Sequence, residues 1–308
     1  MSSSSTSGYI RYLAAKQGLD DRSLNRQVWD CLVRAVQGRP AAAPLRVLEV
    51  GCGIGTMVER LLDWGLLTRA HYTGIDVEAE FIREARRRLR HYAEAKWPGS
   101  VVEDSGAITF ATPGQEVRVS LEVADLADFL DREQGRAAFD LLVAHAFLDL
   151  VDLPATLPRL LALLPPGGLF YFTLNFDGAT ILEPPIDPDL DRRIIARYHE
   201  TMDTRRVRGQ PAGSSVTGRR LLRHLKEGGV TVAAAGSSDW LVFPGPAGYP
   251  GDEAYFLHFI IDTIAQALLG HPEPDPEPFR AWIARRHAQI EAAELVYIAH
   301  QVDVMGYI

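Results

Sequence analysis

The sequence predicts an α/β fold built on a doubly wound parallel sheet, and three observations carry the prediction. From residue 45 onward, apolar runs of strand length alternate with segments of helical periodicity. The run Val47-Leu48-Glu49-Val50 leads into Gly51-Cys52-Gly53-Ile54-Gly55 and then a helix opening at Thr56. That is the pattern of a buried strand turning tightly into a helix whose free N–H groups face a ligand. Acids close the next two strands, at Asp76 and Asp125.

Residues 9–38 carry helical periodicity through Leu13, Leu24, Val28, Leu32 and Val36, with a break and restart at Asp20-Asp21-Arg22-Ser23. Residues 40–44 are a Pro/Ala connector, and the Ser-rich run 1–7 is read as a frayed tail. After the helix from Thr56 to Trp64, residues 70–76 form the second strand and residues 78–95 a helix with an arginine-rich outer face. That face is interleaved with Glu80 and Glu84, the mark of a solvated surface. Residues 117–123 alternate as a third strand, with 108–110 as its hairpin partner; residues 139–145 and 169–174 are the fourth and fifth. Between the last two, Pro154 opens a helix that stops at Pro165-Pro166-Gly167-Gly168.

After Asn175 the rhythm breaks. Residues 176–216 read as an insertion leaving the carboxyl edge of the sheet, where it acts as a lid, and residues 217–243 resume the core with a helix and a sixth strand. Residues 244–292 form a second, helical insertion, and residues 293–308 a final core strand. Residues 1–44 then cap the core from the N-terminal side, and 45–175 form its cofactor-binding part.

At 308 residues and 47% hydrophobic content, the chain has enough material for a large core with additions. A net charge of −8 argues against a surface built for long nucleic acids. Two cysteines, Cys31 and Cys52, give no disulfide framework and no cysteine zinc site. The run 1–7 lacks the basic start and apolar centre of a signal peptide, and no apolar run reaches membrane-spanning length. The expectation is a cytoplasmic protein, monomer or homodimer, that handles small molecules and neither nucleic acid nor membrane.

The ordered set Glu49-Val50-Gly51-Cys52-Gly53-Ile54-Gly55-Thr56, Gly74-Ile75-Asp76, Ala124-Asp125-Leu126 and Leu164-Pro165-Pro166-Gly167-Gly168 resembles the successive motifs of class I S-adenosylmethionine-dependent methyltransferases of the small-molecule type. The resemblance spans about residues 45–240 plus the final strand. It implies a Rossmann-like seven-stranded sheet with its last strand antiparallel, and helical insertions forming a lid. It also implies S-adenosyl-L-methionine as cofactor, with S-adenosyl-L-homocysteine as product. Glu49, Gly51, Gly53, Gly55 and Thr56 would lie against the methionine part, Asp76 and Val77 at the ribose, Asp125 and Leu126 at the adenine, and His145 beside the adenosine.

The residues agree with that assignment independently. A carboxylate has enough acceptor oxygens for both cis hydroxyls of a ribose, and Asp76 falls where the chain returns to the neighbouring strand end. The competing reading, a nicotinamide dinucleotide, needs a third glycine or alanine at position 56, where this chain has Thr56. Glu49 is unfavourable beside a pyrophosphate and acceptable beside a cationic sulfonium or ammonium.

In-line methyl transfer chiefly requires alignment and exclusion of water. The acceptor pocket is expected at the carboxyl ends of the fourth to sixth strands. His145 is the first candidate base, since imidazole titrates near neutral pH, and its alternative role is a hydrogen bond to backbone or adenosine. Asp149 is a second candidate, or a helix-start acid; Asp239 is a third, beside Trp240, which is either an aromatic face for an ammonium or a core residue. Phe147, Asn175, His199, Trp240, Tyr255 and His258 are the candidate pocket residues. His199 with Asp203, and His258 with Asp262, stand at helical spacing, but no third ligand accompanies either and no metal is expected. Tyr9, Arg11, Tyr12 and Lys16 either close over the cofactor or simply pack.

The sequence therefore reads as a methyltransferase acting on a small O- or N-nucleophile. Alternatives are a catalytically silent cofactor-binding subunit or sensor, which would bind the cofactor without turnover, and another transfer such as aminopropyl, which product mass would reveal.

Overall fold

The computed structural model describes residues 3–40, 43–99, 101–104, 106–112, 114–207, 209–272 and 274–308. Positions 41 and 42 of the expected connector, and the first two residues of the expected tail, lie outside this set. The tail expectation otherwise fails: backbone helix begins at Ser3.

Three helices lead the chain, α1 (Ser3–Ala15), α2 (Gln17–Ser23) and α3 (Arg26–Gln37). Asn25 starts α3 by accepting the Val28 N–H, which satisfies one of the free donors of the first turn. The core follows as β1 (Leu45–Val50), α4 (Thr56–Asp63), β2 (Arg69–Asp76), α5 (Ala79–Lys96), β3 (Val101–Asp104), β4 (Ala107–Thr112), β5 (Gln115–Val123), α6 (Leu126–Glu133) and β6 (Leu141–His145). After a short 3-10 turn (Leu148–Leu150) come α7 (Leu153–Leu161), β7 (Leu169–Glu183), α8 (Pro188–Thr204), a two-residue hairpin of β8 (Arg206–Val207) and β9 (Gln210–Pro211), α9 (Thr217–Glu227) and β10 (Thr231–Ser237). The chain ends with β11 (Trp240–Val242), α10 (Glu253–Ala267), α11 (Pro276–Glu291) and β12 (Val296–Tyr307).

The main sheet runs β10-β12-β7-β6-β1-β2-β5-β4-β3, with β11 also paired to β12. Strands β5, β2, β1, β6 and β7 are mutually parallel, and β12 is antiparallel to both β7 and β10. The antiparallel last strand is thus present, but the sheet has ten strands and not the seven expected. The surplus lies at the edges, where β3 and β4 extend one side as a hairpin on β5 and β11 adds to the other.

The strand order reverses at β1. From there the chain builds outward through β2 and β5 on one side and through β6 and β7 on the other, and the crevice at such a reversal is where open α/β sheets bind ligands. Helices cover both faces. Val28 and Leu32 of α3, Met57 and Leu61 of α4 and Ile82 and Leu89 of α5 pack on one; Phe129 of α6, Leu157 of α7 and Leu221 of α9 pack on the other. The near-continuous apolar character of β1 follows, with Val47 facing the first layer and Leu48 and Val50 the second.

A third core lies beyond the carboxyl edge. It unites Tyr12 of α1, Leu19 of α2, Ile194 of α8, Trp240 of β11, Phe256 of α10 and Trp282 of α11 over the far halves of β7 and β12. The fifth strand was expected to stop at residue 174; instead β7 runs to Glu183, paired with β12 on both sides of a register shift that leaves residues 177–179 without a partner on that strand. Its polar stretch Asn175-Phe176-Asp177-Gly178 resembles a loop in sequence; Asn175 and Phe176 pair with β12, and Asp177 is held instead by a bridge to Val216 and by Arg219. The first insertion therefore leaves from the end of a long strand, and the two insertions and the leading helices share one roof.

Candidate active site

The glycine turn closes on itself through backbone bonds, Cys52 N–H to Ile75 O and Gly55 N–H to Cys52 O, both at 3.0 Å. Gly51, Gly53 and Gly55 all have positive φ. At Gly51 this freedom is combined with close approach, because a Cβ there would stand 2.1 Å from the ring of Phe147. Phe147 is thereby seated on the turn.

Asp76 ends β2 and ties the turn to it. Its Oδ2 accepts the Gly53 N–H and its Oδ1 the Glu78 N–H, both at 2.9 Å. Burial pushes this carboxyl upward while those backbone donors pull it down. Each oxygen retains a lone pair for a further donor. Beside it, Val77 and Val123 hold their apolar side chains 58% and 51% exposed at adjacent strand ends. Asp125 caps α6 by accepting the Ala127 N–H at 2.9 Å, and Leu126 is half-buried next to it. These residues fit an adenosine: acceptor oxygens for hydroxyls next to uncovered apolar surface for a base.

Glu49, fully buried in β1, receives the Tyr72 hydroxyl. Burial pushes its carboxyl up to about 8, with Arg60 opposing and Asp76 reinforcing. Thr56 is buried in the first turn of α4.

His145 sits at the end of β6 and is buried. Its Nδ1 meets the Thr173 hydroxyl at 2.8 Å and its Nε2 the Asp20 carboxylate at 3.2 Å. Burial drives the imidazole down to about 4, so it is neutral at neutral pH and donates from Nε2 while accepting at Nδ1. Both ring nitrogens are committed within the protein, which argues against His145 as a free base. Asp20 also receives the Lys16 ammonium at 2.5 Å and the Trp240 indole N–H at 2.9 Å. Burial alone would raise Asp20, but Lys16 and His145 outweigh it and hold it below the usual carboxylate range. The sequence marks Asp20 only as a helix break; its role depends on a partner 125 positions away, and no local pattern shows that.

Helix α1 lies over the turn. Tyr9 stacks on Phe81 of α5 at 5.5 Å, Leu13 approaches Gly53, and Tyr255 donates to Gly8 O at 3.0 Å while Arg11 lies over the Tyr255 ring. Tyr255 thus anchors the cap. Other expected residues stand elsewhere. Asp239 accepts from Ser237 at 2.6 Å and meets His300 at 2.7 Å, between β10 and β12. His258 stacks on His287 of α11, which pairs with Asp262, between α10 and α11. His199 joins Thr180 at 3.0 Å and packs on Phe176. Asn175 donates to Val302 O at 2.8 Å, leaving its Oδ1 buried without a partner. Among the described residues no cluster of three or more metal-ligating side chains is found, and no helix is long and apolar enough to cross a membrane.

A doubly wound sheet with an antiparallel last strand, a glycine turn at its reversal point and an acid closing the adjacent strand together make up this site. Residues 48–170 match the family model described as a methyltransferase domain. Over 150 residues the chain is 34% identical to trans-aconitate 2-methyltransferase of Methylobacterium nodulans, a match covering 48% of this chain and 43% of that protein. The chain thus matches less than half the length of that relative. Among solved structures, it is similar to magnesium protoporphyrin IX methyltransferase of Synechocystis PCC 6803 with bound S-adenosylhomocysteine, at 14% identity and a TM-score of 0.44, covering 77% of this chain and 88% of that one. It is also similar to geranyl diphosphate C-methyltransferase of Streptomyces coelicolor A3(2), at 12% identity and a TM-score of 0.41, covering 91% and 77%.

Proposed function

We propose that this chain transfers a methyl group from S-adenosylmethionine to a small acceptor through an oxygen or nitrogen nucleophile. The observation that carries the reading is the Asp76 unit, a carboxylate locked to the glycine turn by the Gly53 N–H and flanked by exposed Val77 and Val123. On this reading Asp76 holds the ribose hydroxyls, Val77, Asp125 and Leu126 flank the adenine, and Glu49 with the turn borders the methionine end. The bound cofactor supplies a methyl group activated by a positive sulfur.

The chain's own contribution is alignment and dryness. Phe147 on Gly51 fixes the loop after β6, and α1 with Tyr9 and Tyr12 covers the turn, so a nucleophile meets the methyl group out of bulk water. His145, tied to Asp20 and Thr173, positions the cap and takes no proton in this arrangement. The name of the relative makes trans-aconitate an acceptor to include in any screen.

Isothermal titration with S-adenosylmethionine tests the cofactor half of the reading. Wild type binds, and Asp76→Ala binds at least about tenfold more weakly, since hydrogen bonds to an ionised group are lost. Equal affinity in the two proteins would remove the assignment.

A further inference from the structure

Asp149 lies in the 3-10 turn after β6, two residues beyond Phe147, with its side chain turned inward. Its Oδ1 is shut off from solvent and has no hydrogen-bond partner. A buried carboxylate oxygen without a donor is costly, and a native structure that keeps one has a use for it.

The surroundings come from three separate elements. Tyr9 of α1 and Tyr198 of α8 are both raised by burial and next by the charge of Asp149, and Arg205, just beyond α8, acts on all three in the opposite sense. Neither phenol hydroxyl has a hydrogen-bond partner among the described residues. Tyr9 also feels Asp76, so this group adjoins the ribose end of the cofactor site.

Arg205 does not neutralise the carboxylate by direct contact. Its Nη2 donates to the backbone oxygen of Asp149 at 2.9 Å and its Nε to Ala212 O at 2.7 Å. Gly213 makes this possible, since a Cβ there would stand 2.4 Å from Asp149 O and 2.3 Å from Arg205 Nη2. Gly213 N–H in turn donates to Val151 O at 3.0 Å. The return segment of the lid therefore pins the backbone around Asp149 and leaves its Oδ1 without a donor, while the carboxylate acts electrostatically on the phenols of Tyr9 and Tyr198.

We infer that Asp149 is the specificity-determining residue for the acceptor, and that the acceptor offers it a hydrogen-bond donor, a hydroxyl or an amine, in place of a carboxylate. This rests on the methyltransferase reading above. A hydroxyl or amine satisfies Oδ1 and brings its own O or N atom toward the methyl donor, with Tyr9 and Tyr198 available to accept or donate. A carboxylate would set lone pairs against lone pairs in a site that already holds Asp76.

The test incubates wild type, Asp149→Asn and Tyr198→Phe with methyl-tritiated S-adenosylmethionine and a fractionated extract of small metabolites, and identifies labelled products by mass spectrometry. The expected products are base-stable, with parent compounds carrying a hydroxyl or amine. On the parent compound so identified, Asp149→Asn raises the acceptor KM about tenfold to a hundredfold, while titrated affinity for S-adenosylmethionine stays at the wild-type value. Unchanged cofactor affinity also shows that the variant is folded. Base-labile methyl esters as the main products would overturn the inference, as would an unchanged acceptor KM or a parallel loss of cofactor affinity. Absence of any labelled product from wild type with cofactor bound would instead remove the methyltransferase reading, and this inference with it.

Discussion

Glu49 is the residue whose burial has the clearest measurable consequence. With its carboxyl at about 8, against 4.5 in an exposed chain, the folded protein holds a proton there that the unfolded chain releases. The sign follows. The contribution is fully present below about pH 4.5 and is lost as pH rises toward 8, on the order of 4–5 kcal/mol across that window. His145 works oppositely, because its lowered value makes stability fall as pH drops from 6.5 toward 4. Above pH 6.5 only the Glu49 direction remains of the two. Thermal unfolding of Glu49→Gln should therefore show a Tm that falls less than wild type between pH 6.5 and pH 8; parallel curves would show that Glu49 is ionised in the fold. In sequence, Glu49 is legible as the acid before a glycine turn. Its bond to Tyr72 is not, because cross-strand partners are set by register, Glu49 standing beside Gly74 on β2.

At the scale of elements, the two insertions behave as one. Arg286 of α11 is completely buried, donates to Asp191 of α8 at 2.6 Å and to Pro184 O at 2.8 Å, and shares Gln289 at 2.8 Å. The Trp282 indole reaches the same Asp191 oxygen at 2.5 Å. Arg286→Met leaves that half-buried carboxylate with one donor fewer and should cost about 2–3 kcal/mol in urea unfolding; adding Asp191→Leu should restore part of the loss. A cost below about 1 kcal/mol would mean the insertions dock independently of this pair. Glycine turns and apolar alternation made the core strands readable, since local sequence decides them. The extent of β7 was not, because Asn175, Asp177 and Gly178 carry loop chemistry that only tertiary partners override, β12 at Asn175 and Val216 with Arg219 at Asp177. The roof pairs were hidden for the same reason: Asp20 and His145, like Asp191 and Arg286, meet through tertiary packing alone.

For the molecule as a whole, the leading helices are the part that covers the turn. Tyr9 on Phe81, Tyr12 on Phe259 and Asp20 on His145 bring α1 and α2 over both the cofactor strands and the roof. Hydrogen exchange should accordingly slow across residues 9–20 when S-adenosylhomocysteine is added, along with exchange at Gly53 and Glu78. Protection confined to the turn would place the cofactor outside the cap. The strands β7 and β12 run side by side, through two register shifts, from the sheet core, where Phe170 and Phe172 pack, into the roof core, where Phe176 and Leu182 pack. With no linker between the two cores, there is no swivel about which a roof could lift away as a rigid flap. Any opening between the two cores therefore falls to the peripheral helices, while β7 and β12 stay common to both.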